Sequence, residues 1–315
     1  MWLLLKYTLL YAAVLTLVAL GGMFSERSGV INIALEGIMV IGGLMGVVMI
    51  NIMNASGVPV WLGIVITVLC SALAGLVYSS LLAFSAINLK ADQTIGGTAL
   101  NLLATALAMV IAKRINGSDS PKITYSANTN AVFNSTHFSF QVGPLTLNWF
   151  LLVTLVILAA AWFILYRSRF GMRLMACGEH PQAADSVGIN VYKMRWAGVL
   201  MSGALGGIGG MAYIVPAVGD WNFEMGVAGM GFLALAVMIF GQWKPLRIAG
   251  AALFFAVFRA MANIFDSIPF LAALGWPKEI YNMMPFIASM VVLAFTSRKS
   301  RAPKAEGIPY DKGSR

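Results

Sequence analysis

A carboxylate set in an apolar stretch is the first group in this sequence able to do chemistry, and Glu36, in SGVINIALEGIMVIGG, is one. Asn32 lies four residues earlier, so in a continuous helix the amide and the carboxylate share a face. A charge at mid-span costs about 2.5–3.5 kcal/mol on insertion scales, so such a group faces a bundle interior or a water-filled cavity rather than lipid. Two readings stand: Asn32 and Glu36 line a solute pathway, or Glu36 is a structural carboxylate bonded to a neighbouring helix. Thr94, Thr98, Asn101 and Thr105 form a second polar stripe on one helical face. That stripe lines a cavity or joins helices through interhelical hydrogen bonds. Asn263 is a lone amide in a later apolar run. Trp221, Phe223 and Glu224 together offer a flat ring a stacking surface, although aromatics at the end of a span also anchor the membrane interface.

Catalytic constellations are missing from the sequence. It has no Gly-x-x-x-x-Gly-Lys-Ser/Thr run to cradle ATP phosphates, and its two histidines, His137 and His180, stand far apart outside any metalloprotease motif. Cys70 and Cys177 have no metal-site or disulfide spacing. No metal ligand set and no catalytic residue is expected.

The elements that must position these groups are membrane spans. The chain of 315 residues is 59% hydrophobic and 10% charged, against roughly 25% charged in soluble domains. An all-α, polytopic transmembrane bundle of eight to ten spans follows, with spans expected at 2–22, 29–53, 58–87, 95–112, 149–166, 196–215, 227–243, 248–265 and 280–296. The first has only Lys6 near its start and no small-residue cleavage site before Phe24 and Ser25, so it reads as a retained helix, not a signal peptide. The glycine-rich stretch from Gly29 to Met53 either crosses once or is broken or re-entrant. Glycine clusters at Gly42, Gly43 and Gly46, from Gly203 to Gly210, and from Gly226 to Gly231 allow close helix packing or breaks that move during alternating access.

The net charge of +9 is distributed as in a membrane protein, with no patch of the kind that binds nucleic acid. Arg167, Arg169, Arg173, Lys193 and Arg195 form one basic cluster in a short loop, and Arg298, Lys299, Arg301 and Lys304 form another at the C-terminus. The positive-inside rule puts both in the cytoplasm, with the polar loop from Lys113 to Asn148 outside. That loop caps the mouth of a pathway or only connects two helices; its sequons at Asn116 and Asn134 are given no functional weight. Residues 1–297 are thus read as one transmembrane domain, and 298–315 as a basic, disordered cytoplasmic tail.

The loop at 167–195 carries FGMRLMACGEHPQAADSVGINVYKMR, which resembles the coupling segment of type II ABC importer permeases of the simple-sugar, nucleoside and branched-chain amino-acid group. RSGVINIALEGIM and GFLALAVMIFGQWKP resemble two further blocks of that family, so the likeness covers nearly the whole chain. It departs from the family pattern at Met175, where arginine is common, and at His180, where asparagine is common. Within the coupling segment Pro181 can start a short helix, Ala183 and Ala184 favour it, and Gly188 can end it. The resemblance implies that Arg173, Gly178, Glu179, Pro181, Ala183, Ala184 and Gly188 contact a cytoplasmic ABC ATPase subunit. It further implies a second permease subunit, a paralogue of this chain, an extracytoplasmic solute-binding lipoprotein, and a small-molecule solute crossing the bacterial inner membrane unchanged. ATP is used by the partner subunit, and no cofactor is bound by this chain. The FSERSGVINIALEG opening is most similar to the nucleoside branch; simple sugars, riboflavin and branched-chain amino acids are the alternatives. An ion-coupled secondary transporter would have to rely on Glu36 as its one mid-span carboxylate.

Overall fold

The computed structural model describes residues 2–56, 58–124, 138–216, 220–296 and 301–313. Asn134, His137, Arg298 and Lys299 therefore lie outside the described residues. The long helices are α1 (Trp2–Arg27), α2 (Leu35–Ser56), α3 (Val60–Ala83), α4 (Gln93–Asn116), α5 (Trp149–Arg167), α8 (Val191–Ile214), α10 (Pro245–Asn263) and α12 (Lys278–Thr296). The short ones are α6 (Arg169–Glu179), α7 (Pro181–Ser186), α9 (Met230–Phe240) and α11 (Pro269–Ala272). Among the described residues, eight segments are long and apolar enough to cross a membrane; α12 falls outside that set. It must still run between the two faces, because α10 ends at one face and residues 301–313 dock on the other.

α1 is the axis of the bundle: from Leu10 to Glu26 its side chains are buried, and α8, α10, α5 and α9 pack around it. α2 is wedged between α3 and α8. The glycines of α8 make that contact close: a methyl on Gly207 would overlap the Ser71 carbonyl of α3, and one on Gly210 the Met39 carbonyl of α2. Close backbone approach is how helices gain packing energy where lipid removes the hydrophobic drive between them. The outer surfaces of α3, α4 and α5 present Trp61, Leu69, Leu73, Leu102, Val110 and Val156 to the surroundings, as lipid-facing helices must.

Two of the expected spans are broken, an outcome the glycine-rich sequence left open. The chain leaves α1 at Arg27, runs without helix through Ser28–Ala34, and enters α2 only at Leu35. The span expected at 227–243 is helical only over Met230–Phe240, about 16 Å at 1.5 Å per residue, half the thickness of a hydrocarbon core. Before it lie a single 3₁₀ turn at Phe223–Met225 and a bend in which Gly226, Ala228 and Gly229 all take positive φ.

Among the described residues, four short strands break the all-helical pattern at the face opposite the coupling segment. β1 (Lys122–Thr124) pairs antiparallel with β4 (Asp220–Asn222), and β2 (Ser139–Val142) forms a hairpin with β3 (Leu145–Asn148). The loop at 113–148 is thus tied in part to the segment that carries Trp221.

The described part of the C-terminal tail is ordered, contrary to the expectation from its composition. The Ala305 N–H donates to the Gly178 carbonyl at 2.8 Å, and the Gly307 N–H to the Gly29 carbonyl at 3.2 Å. Arg195, buried in α8, donates from Nη1 to the Ile308 carbonyl at 2.8 Å, and Lys90 pairs with Asp311 at 3.1 Å. Tyr310 is buried edge-on against Tyr192, with ring centroids 5.3 Å apart. An irregular segment that bonds its backbone to other elements needs no apolar periodicity, which is why the sequence hid it.

Candidate solute cavity and coupling surface

The break at 28–34 leaves backbone N–H and C=O groups without helical partners in a largely buried segment, and side chains supply several of the missing bonds. Gln93 accepts from the Ile31 N–H at 2.7 Å, and Ser25 donates to the Val30 carbonyl at 2.7 Å. Asn101 bridges the start of α2: its Oδ1 accepts from the Gly37 N–H at 2.8 Å, and its Nδ2 donates to the Ile33 carbonyl at 2.9 Å. Asn32 is fully buried in the break and donates to Ser202 Oγ of α8 at 2.8 Å. Because Asn32 precedes the helix, it shares no helical face with Glu36, which lies in the first turn of α2.

Glu36 closes the second break. The Gly229 N–H donates to its Oε1 at 2.8 Å and the Gly231 N–H to its Oε2 at 2.7 Å. These are orphan donors at the N-terminus of α9, where the helix dipole also favours a negative charge. Both carboxylate oxygens are engaged by backbone, and a methyl on Gly231 would collide with the Glu36 backbone. Of the two sequence readings, the geometry matches the structural carboxylate.

The polar stripe on α4 divides. Asn101 serves the break, while the hydroxyls of Thr98 and Thr105 donate to carbonyls one turn back in their own helix, those of Thr94 and Asn101. Thr94 and Thr98 are exposed near the coupling face.

Trp221 and Asn263 come together at the opposite face, in the wall of a cavity of about 370 Å³. Trp221 donates from its indole N–H to the Gly226 carbonyl at 3.0 Å and stands edge-on to Tyr213. Phe223 is fully buried beneath, and Glu224 is exposed outside the lining, so the expected aromatic pair is one aromatic. Sequence reasoning missed Arg259, a cation one helical turn before Asn263 in FFAVFRAMANIF. Its Nη2 donates to Tyr213 Oη at 2.9 Å, its guanidinium lies 5.8 Å from the Tyr11 ring centroid, and its buried Nε has no partner. The available signal was a charge inside an apolar run, the same one that singled out Glu36.

At the other face, the helix expected from Pro181 is α7, and Gly188, at φ +82°, ends it as expected. Ala183, Gly188 and Arg173 are exposed there. Pro181, Ala184 and Gly178 face inward: Ala184 packs with Cys177, Val191 and Tyr310, and a methyl on Gly178 would strike the Arg27 carbonyl. Glu179 is held 3.9 Å from Arg27. Burial raises the Cys177 thiol to about 11, partly offset by Arg195, which makes it a protonated packing group. α7, the turn after it and Tyr310–Lys312 of the tail border a groove of about 660 Å³.

Eight apolar segments among the described residues, around an interior stitched by buried amides and a carboxylate, define a multi-pass membrane protein. The family model for the permease component of branched-chain amino acid transport systems matches residues 4–294, and the chain belongs to that family. It is 38% identical over 314 residues to the nucleoside ABC transporter permease protein NupC of Lactococcus lactis subsp. cremoris, covering 96% of this chain and 95% of that one. It is also 38% identical over 318 residues to the guanosine ABC transporter permease protein NupQ of Bacillus subtilis, covering 98% and 96%. A further relative, the nucleoside ABC transporter permease protein NupB of the same Lactococcus strain as NupC, is 26% identical over 205 residues, 64% of this chain and 54% of that one.

Proposed function

We propose that this chain is the permease subunit of an ATP-driven importer that carries nucleosides across a bacterial cell membrane. The observation that carries this reading is near full-length likeness to two permeases named for nucleoside and guanosine transport. The positive-inside rule puts the face with Lys90, Arg173, Lys193, Lys244 and Lys312 in the cytoplasm, together with the C-terminus, and the cavity of Trp221 and Arg259 outside. A cytoplasmic ATPase subunit docks on α7, and its closure on ATP tilts α8 and, through the tail, the α1–α2 break. The chain itself hydrolyses no ATP. A solute-binding lipoprotein delivers solute to the cavity face, and a second permease completes the pathway. That partner is a paralogue, a reading supported by the occurrence of two distinct nucleoside permeases, NupB and NupC, in one Lactococcus strain.

The test is uptake of labelled guanosine and uridine in cells lacking this chain, complemented by the intact protein or by an Ala183→Glu, Val187→Glu variant. Both positions are exposed on or just after α7, so the variant alters docking without disturbing the core, as Ala184→Glu would. Uptake restored by the intact protein alone, with the variant present in the membrane, is the expected result. A deletion strain, shown free of other nucleoside importers, that takes up both nucleosides normally would end the nucleoside assignment and turn the search to sugars, riboflavin and branched-chain amino acids.

A further inference from the structure

The cavity at the face opposite α7 has a composition that points to one edge of a nucleobase. Arg259 and Lys278 bring two cations to its lining, and among the described residues no carboxylate joins them. Asn263 and Asn282 line it with amides that make no side-chain hydrogen bond among the described residues, and Trp221 and Phe286 supply apolar faces. Arg259 is fixed by its bond to Tyr213 Oη and by the Tyr11 ring, yet its buried Nε has no acceptor. Nε itself is closed off from the cavity, but the Arg259 side chain lines it, and its volume of about 370 Å³ is enough for a planar ring.

We propose that Arg259 is the specificity-determining residue of this cavity, and that it selects nucleosides whose base presents adjacent acceptors, the 6-oxopurines guanosine and inosine, over adenosine. This rests on the nucleoside reading above. The guanidinium fork matches the O6 and N7 acceptors of a 6-oxopurine, whereas adenine places an amino donor at the first of these positions, facing a cation. The free amides of Asn263 and Asn282 have donor and acceptor atoms for the remaining edge, and Phe286 or Trp221 offers a face to stack on. Lys278 adds positive potential without directional preference.

The experiment uses the complete importer, with both permeases, its ATPase and its binding protein, in proteoliposomes, and measures ATP-dependent transport of guanosine, inosine and adenosine. Wild type should favour the two 6-oxopurines. Arg259→Gln should lower their transport by roughly tenfold or more while changing adenosine transport less than about twofold, since a bidentate pair discriminates between bases on that scale. Arg259→Lys keeps the charge but loses the fork, so it should also collapse the preference; it serves as the deciding variant where the glutamine protein does not reach the membrane. Equal loss for all three nucleosides, or an unchanged ratio in a chain that still transports, overturns the proposal and leaves the nucleoside reading standing. Wild-type transport of none of the three overturns both.

Discussion

Glu36 and Arg259 are both charged side chains inside apolar helices, and the structure treats them in opposite ways. Glu36 is engaged at both oxygens by the N–H groups that open α9, so it completes the backbone of a broken helix. Arg259 makes its one side-chain hydrogen bond through Nη2, and its side chain lines a cavity. A buried polar group whose bonding capacity is exhausted by the fold holds the fold; one with capacity left beside a cavity is available to a ligand. The same contrast runs through the amides, with Asn101 bonded at both ends to the α2 entry and Asn263 open in the cavity wall.

The largest expected effect sharpens this contrast from the structural side. Glu36→Ala orphans two N–H groups, at about 1–3 kcal/mol each, and should lower the melting temperature and the membrane level of the protein by a wide margin. Glu36→Gln keeps one acceptor and should fall between. A glutamine variant that melts like wild type yet transports nothing would break the contrast and return Glu36 to the pathway.

Next in size is Asn101→Leu, which removes the bridge to Gly37 and Ile33 and should cost about 1–3 kcal/mol, read as a drop in thermal stability in detergent. Tyr310→Ala should weaken tail docking by about 1.5–3 kcal/mol, the scale for exposing one large buried side chain, and should increase hydrogen exchange at Ala305 and Gly307.

Docking of the tail should also depend on pH. Burial raises the Glu306 carboxyl above the usual range, against the opposing effects of its hydrogen bond with Glu26 and the Arg27 charge. The docked state therefore binds more protons than the released one, so docking is strongest in acid and weakens as the pH climbs from the ordinary carboxylate range through the raised value. The distance between spin labels at positions 186 and 312 should lengthen over that window, and Glu306→Gln should flatten the response. The smallest effect belongs to Thr98→Val, which removes only a bond to its own helix and should change stability by less than about 0.5 kcal/mol in a melting experiment.

Much of this was legible in the sequence because lipid imposes a simple rule. Long apolar stretches marked nearly every span, and Pro181 and Gly188 marked the ends of α7, since both residues act locally on the backbone. Family resemblance was likewise visible in contiguous blocks that the matched region of 4–294 contains. The break at 28–34 was open in the sequence, because hydropathy continues across it; the one local signal is Gly29, which takes φ +97° beside the Arg195 guanidinium. Helical spacing then misplaced Asn32 on the face of Glu36, and proximity in sequence joined Phe223 and Glu224 to a cavity that takes only Trp221.

What the sequence determined by itself was therefore the solvent of each segment and the helices that follow from it, because transfer into lipid and local backbone preference are properties of a few consecutive residues. Tertiary structure decided which buried charge is bonded and which is open, that a tail of Pro, Gly and lysine docks, and that Arg259 meets Trp221 across a cavity. Those outcomes depend on donors and acceptors separated by tens to hundreds of positions in the chain, as in the bonds from Glu36 to Gly229 and from Arg195 to Ile308, and no local pattern records such a meeting.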